Sequence, residues 1–253
     1  MQVSIVPHLW LAQGAQEAVD FYLELFPESE LLNTEEGPLD APHPYRFFQL
    51  ALMGLQLRVL GSDRAPQPNP AGSFFVYCGN SEALQDRLYQ ALTTGGRILM
   101  PLGKYNWSGR YALLQDKFGV AWHLDIDPVK TVQKIVPAPI FMPPQAFNLA
   151  PAHDFYAGIF PGFVSLMQMP YTPAPNVPAE ALLFVQMKWG SLLVNMLSSS
   201  INMGYRLNES FSFSIKAGSP AEANILTQKL GEGGTLMPGG WLTDKYGVTW
   251  IVS

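Results

Sequence analysis

DKFGVAWHL (116–124) and DKYGVTWIV (244–252) are near-copies of one phrase, and only the first copy carries a histidine. The copies are not isolated. EAVDFYLELFP (17–27) matches PAHDFYAGIFP (151–161) at Asp, Phe, Tyr, Phe and Pro. TTGGRILMP (93–101) matches GEGGTLMP (231–238) with one residue fewer, and GSFFVYCG (72–79) aligns with ESFSFSIK (209–216). Four blocks in one order mean a tandem duplication. The reading is domain one over 1–127, a linker over 128–139, and domain two over 140–253. The segment DPVKTVQKIVPAPIFMPPQ carries Pro137, Pro139, Pro143 and Pro144, and it leads into the first strand of domain two.

Each domain holds a second duplication. VSIVPHLWLA predicts a strand, and AQEAVDFYLELF predicts a helix with Ala18, Phe21, Tyr22 and Leu25 at helical spacing. ELLNTE, YRFFQLAL and LQLRVLG predict three further strands. The pattern then restarts with the strand SFFVYC and a helix carrying Leu84, Leu88 and Leu92 on one face, stopped by Gly95 and Gly96. GRILMP, RYALLQ and AWHLDI close the unit. In domain two, Ser219-Pro220-Ala221-Glu222 predicts a capping box with proline at the first helical position. The expected fold is therefore α+β, with four βαβββ units in two domains.

Composition narrows the class. Of 253 residues 48% are hydrophobic and 14% charged, enough apolar material for one large or two small cores. A formal charge of −5 with scattered Lys and Arg offers no nucleic-acid footprint. No run approaches a membrane span, and the N-terminus lacks a signal-peptide pattern. The single Cys78 forms no intrachain disulfide, so a reducing, cytoplasmic setting is expected.

The four βαβββ units, the DFY helix and the Gly-centred turn before the last strand resemble the vicinal-oxygen-chelate superfamily. That group includes glyoxalase I, extradiol dioxygenases and bleomycin-resistance proteins. HLWLAQGAQEAVDFYLELFPESEL (8–31) and GGWLTDKYGVTWIVS (239–253) are similar to the PhnB-like family labelled "3-demethylubiquinone-9 3-methyltransferase". The resemblance implies curved mixed sheets, each built from two βαβββ units and cupping a small cavity. It also implies an intrachain pseudo-dimer, since single-domain relatives pair, and it leaves a homodimer of the whole chain open.

Chelating relatives place ligands on the first and last strands of each unit. That implies His8, Gln56 or Arg58, Ser73, and His123, which stands four residues after Gly119. Strand alternation puts Ala121, His123 and Asp125 on one face, with Trp122 and Leu124 on the other. The domain-one cup is thus expected to hold two imidazoles, a hydroxyl and one more polar group. His8 and His123 are the candidate metal ligands, for a divalent metal in domain one only. A working centre wants two His and a carboxylate, and no Asp or Glu falls at a ligand position. The matching domain-two positions are roughly Met142, Leu192, Ser210 and Ile251. His153 belongs to a helix face, and His43 to a solvated loop.

Domain one inserts LGKYNWSGRYAL (102–113) where domain two has GGWL (239–242). The longer hairpin carries Lys104, Tyr105, Trp107, Arg110 and Tyr111. It is expected either to lid the cup, with Trp107 touching a ligand, or to pack on the partner domain. Cys78 is expected to be a buried structural thiol, and Asp116 and Asp244 to shape turns. The expected function is binding of a small molecule in the domain-one cup. The alternative is a metal-dependent lyase, isomerase or dioxygenase using His8 and His123. Methyl transfer ranks last, because no G-x-G opens a helix for S-adenosylmethionine.

Overall fold

The computed structural model describes residues 3–37, 45–237 and 240–253, and His43 lies outside them. The chain divides into two compact units. One holds His8–Pro137 with Glu209–Phe211; the other holds Ala138–Asn208 and Ser212–Ser253 with the chain up to Pro7.

The first repeat runs β1 (Ser4–Leu11), α1 (Ala15–Leu25), β2 (Ser29–Glu36), β3 (Arg46–Leu52) and β4 (Leu55–Gly61). It restarts with β5 (Gly72–Tyr77), α2 (Glu82–Thr93), β6 (Arg97–Tyr105), β7 (Ser108–Gln115) and β8 (Ala121–Asp125). Strand order is β1-β4-β3-β2 in one set and β5-β8-β7-β6 in the other, and the two sets belong to different sheets. In each, the first strand lies parallel to the last, as in His8 opposite Arg58 and Phe75 opposite His123. Parallel neighbours need a crossover, which the helix supplies, and the remaining strands follow as antiparallel hairpins.

The second repeat runs β9 (Ile135–Phe141), α3 (Leu149–Ile159), β10 (Val164–Pro170), β11 (Leu182–Trp189) and β12 (Leu192–Ser198). Then follow β13 (Phe211–Lys216), α4 (Pro220–Gly231), β14 (Thr235–Leu236), β15 (Trp241–Thr243) and β16 (Thr249–Val252). The orders β10-β11-β12-β9 and β14-β15-β16-β13 repeat the first pattern. The fold is α+β, four βαβββ units in two tandem domains.

Helix faces follow the apolar spacing. α1 buries Ala15, Ala18, Val19, Tyr22 and Leu25. Ser81 caps α2 by accepting from Leu84 N–H at 3.2 Å. Ser219 caps α4 with Pro220 next, while the Glu222 carboxylate accepts from Gly218 N–H, one position earlier than a standard capping box. Among the described residues no helix is long and apolar enough to cross a membrane.

The repeated phrase is a locked turn before β8 and β16. Asp116 Oδ1 accepts from Phe118 and Val120 N–H, and Oδ2 from Trp122 Nε1. Asp244 does the same with Tyr246, Val248 and Trp250. Gly119 and Gly247 take φ of 86° and 88° between them. Each tryptophan anchors its core: Trp122 stacks on Phe74 at 5.3 Å, and Trp250 on Phe213 at 5.2 Å.

Candidate functional site

His123 sits mid-strand in β8, where Phe75 of β5 and Leu113 of β7 flank it in register. Those neighbours decide its chemistry. Phe75 stacks flat on the imidazole, centroids 4.1 Å apart and planes 7° apart. Ser73 Oγ lies 2.9 Å from Nε2, and Tyr111 Oη 2.5 Å from Nδ1. A neutral imidazole donates through one nitrogen and accepts through the other, so two hydroxyls satisfy it completely. Burial drives its pKa down to about 3, and the ring is neutral at any ordinary pH. Ser73, His123 and Tyr111 are all buried. The arrangement has the spacing of a nucleophile, a base and an orienting group, but Ser73 is sealed from any substrate.

Tyr111 was not among the residues that the sequence nominates as ligands. Its signal was alternation along β7, which puts Tyr111, Leu113 and Gln115 on the His123 face. The inserted hairpin extends this layer. Tyr105 and Trp107 stack at 5.0 Å, and both meet Tyr111 edge-on, at 5.6 and 5.7 Å. Trp107 remains 52% exposed. Arg110 turns the other way: it bonds Gln85 at 2.9 Å and pairs with Asp86, both on α2. Tyr105 and Trp107 thus pack on Tyr111 of β7, while Arg110 serves the helix.

His8 lies on the other sheet of the domain. Cross-strand register sets it in a row with Arg58, Gln49 and Asn33. Trp10, Leu60, Phe47 and Glu35 form the next row. Arg58 lies 5.6 Å over the Phe47 ring, and the His8 and Phe47 rings are 6.4 Å apart. Burial, with the Arg58 charge adding, takes the His8 pKa down to about 3. Burial also lowers Arg58, and Glu35 opposes that shift. Phe47, Gln49, Arg58 and Leu60 are half-buried and Gln56 is exposed, so this face meets solvent.

The candidate residues therefore form two groups, and the expected single cup of two imidazoles does not assemble. His8, Gln56 and Arg58 share one sheet; Ser73, His123 and Trp107 belong to the other. The set does not fit a metal centre. The one lone pair of neutral His123 is already engaged, and a guanidinium adjoins His8. Among the described residues no three His, Cys, Asp or Glu side chains gather as a metal would need. Cys78 is buried and its pKa is pushed up to about 12, as suits an inert thiol.

Strand register also corrects the domain-two counterparts. Leu52 pairs with Leu55 as Trp189 pairs with Leu192, so Gln56 matches Leu193 and Arg58 matches Asn195. Leu11 pairs with Gly61 as Phe141 pairs with Ser198, so His8 matches Ala138 instead of Met142. The connection from β9 to α3 is longer than that from β1 to α1, which misleads a count from the DFY helix. Ser73 matches Ser212 instead of Ser210, while His123 and Ile251 keep their match. Domain two thus keeps polar groups but lacks both the histidines and the arginine. His153 is buried on α3 between Asp154 and Ser165, at 2.9 and 3.0 Å.

A family model described as 3-demethylubiquinone-9 3-methyltransferase matches residues 3–125 and again 133–253. The chain belongs to this family. Each repeat carries one match to the family's model. The family's PhnB protein from Bacillus cereus, whose name includes 3-demethylubiquinone-9 3-methyltransferase, is 30% identical over 47% of this chain and 96% of its own, with TM-score 0.43. Glyoxalase I from Zea mays is 13% identical over 98% of this chain and 92% of its own, with TM-score 0.64. The second likeness shows the shared fold, that of tandem glyoxalase-like domains. No curated protein matches the chain.

Proposed function

We propose that domain one binds a small organic molecule on the β1–β4 face, with Gln56 and Arg58 as contacts and His8 as a neutral hydrogen-bonding wall. One observation carries this reading. His8, Arg58 and Phe47 stand together on a half-exposed face, and domain two replaces the first two with Ala138 and Asn195. A cation, a neutral imidazole and a ring side by side suit a ligand with polar and planar parts. Ser73 and His123, buried behind Tyr111, leave the contact set and support the β5–β8 face from below. Trp107 remains a contact candidate on that second face.

Ligand-observed NMR with a mixed library of small acids, amides and phenols tests the proposal. A hit should be lost in Arg58→Met and Gln56→Ala, and should survive Ile251→Ala. Hits indifferent to Arg58 and Gln56, or abolished by Ile251→Ala in a folded chain, would sink it. Metal chemistry is the weaker reading, since its two histidines lie on separate sheets. Metal analysis of untagged protein checks it: a stoichiometric ion lost in both His8→Ala and His123→Ala would restore it. Methyl transfer, which the family's name suggests, would require calorimetric binding of S-adenosylmethionine.

A further inference from the structure

Asp125 ends β8 on the His123 face, and among the described residues no cation pairs with it. Its side chain is deep, with the residue only 7% exposed. Ser108 Oγ donates to Oδ1 at 2.8 Å, and the Asp127 N–H donates to the same oxygen at 3.1 Å. Both donors favour the ionised form. Oδ2 takes no hydrogen bond among the described residues, yet it is not one of the sealed polar atoms left without a partner. The charge that acts on it most is Asp127, which is negative too. Arg110 of the neighbouring strand is engaged by Gln85 and Asp86 on α2. A carboxylate this deep is ordinarily matched by a positive charge.

Aromatic rings stand on both sides of it. Strand register sets Tyr77 of β5 and Tyr111 of β7 opposite Asp125, so one row reads Tyr77, Asp125, Tyr111 across three strands. Neighbouring strands lie about 4.8 Å apart, so both rings border the carboxylate. Phe75 stacks on Tyr77 at 5.8 Å and backs it. Trp107 carries the ring surface from Tyr111 to the half-exposed tip of the hairpin. The β13–β16 unit keeps the backbone and drops these groups. Cys78 N–H bonds the Asp125 carbonyl at 2.8 Å as Ala217 N–H bonds that of Ser253, so Asp125 matches Ser253 and Tyr77 matches Lys216. A carboxylate beside a ring has become a hydroxyl beside a cation. We propose that Asp125, Tyr77, Tyr111 and Trp107 form a subsite for an organic ammonium group, whose N–H donates to Asp125 Oδ2 while the rings flank its charge and its carbon chain. A hard metal ion wants several oxygens, and this site has one to spare, so the cation is an amine carried on carbon. The subsite lies on the β5–β8 sheet, apart from the β1–β4 face.

Calorimetric titration of the full chain with benzylammonium, and with benzyl alcohol as its neutral counterpart, tests this. The ammonium should bind saturably, and the alcohol about tenfold or more weakly, the scale of one charged hydrogen bond. Asp125→Asn keeps an oxygen for Ser108 and should lower the benzylammonium affinity about tenfold or more, with unchanged circular dichroism. Trp107→Ala should lower it about threefold. Glu180→Gln, at an exposed carboxylate of domain two, should leave it unchanged. If Asp125→Asn fails to fold, Trp107→Ala decides, since its side chain is half in solvent. Equal binding of amine and alcohol, no saturable binding of the amine, or an affinity indifferent to the folded Asp125→Asn or to Trp107→Ala would each overturn the proposal.

Discussion

The hydroxyl of Tyr22 donates to Asp116 at 2.6 Å, joining the DFY helix to the turn phrase across 94 positions. Tyr156 repeats the bond to Asp244 at 2.8 Å. The two motifs that betray the duplication are thus halves of one clamp. Each carboxylate receives two backbone N–H groups, one indole and one phenol. Burial pushes Asp116 and Asp244 up, and these four donors pull back. The following lysine stacks on the motif's rings as well: Lys117 Nζ lies 5.3 Å from Phe21, and Lys245 Nζ 4.5 Å from Phe155. Repetition at these positions reflects architecture, so the search for chemistry belongs where the repeats differ.

Breaking the clamp should cost stability in either domain. A hydrogen bond to a buried carboxylate contributes about 1.5–3 kcal/mol, so Tyr22→Phe and Tyr156→Phe should each lose that much. Asp116→Ala should lose more, because it orphans four donors in a dry site. Urea denaturation gives the values. Phenylalanine variants within about 0.5 kcal/mol of wild type would show that the clamp is geometric only.

The sequence made the βαβββ order legible because apolar spacing and turn residues are local signals. It did not reveal which sheet each strand joins. Alternation correctly placed Ala121, His123 and Asp125 on one face, but a face belongs to a sheet, and sheet membership is set by pairings far apart in sequence. For that reason the sequence alone sets His8 and His123 in one cup, while the structure puts them on two sheets. Alternation puts Tyr111 on the His123 face, but the β7–β8 register that brings the two together carries no mark in the sequence. Ala138 is not legible as the counterpart of His8, because counting back from a helix assumes equal loops and the β9–α3 connection is the longer one.

Acid should weaken the fold through its two buried histidines. His8 and His123 have pKa near 3 when folded, against an ordinary 6.5. Below pH 6.5 the unfolded chain takes up protons that the folded chain refuses. Their stabilisation is therefore complete above that pH and falls as pH drops toward 3, by about 1.4 kcal/mol per unit for each ring. The raised carboxyls Asp116, Asp125 and Asp244 act in the opposite sense nearer their own range, so the slope is best read between pH 6.5 and about 5. His123→Gln should flatten it by about half in urea midpoints. An unchanged slope would mean that water reaches the ring.

Trp107 should be separable from stability. It is the most exposed tryptophan; it stacks on the hairpin's own Tyr105 and meets Tyr111 edge-on. Trp107→Ala should cost no more than about 1.5 kcal/mol, the scale of one aromatic pair. It should also remove the largest share of the fluorescence that acrylamide quenches. If quenching persists unchanged, the hairpin is covered in solution.

The paired glycines in GG (95–96) and GG (233–234) should respond differently within each pair. Gly95 and Gly233 both take φ of 72°, with Lys117 and Lys245 side chains no nearer than 3.4 Å to an added Cβ. Their role is conformational, so alanine should cost about 1–2 kcal/mol there, and asparagine less. Gly96 and Gly234 have no such φ. An added Cβ would fall 2.4 Å from the Gln115 carbonyl oxygen or 2.2 Å from that of Thr243. Those oxygens are backbone and cannot rotate away, so alanine and asparagine should both cost more than about 2 kcal/mol. Asparagine rescue at 95 and 233 but not at 96 and 234, read from thermal melts, is the expected signature. Rescue at all four positions would show that the strand after the helix shifts to admit a side chain.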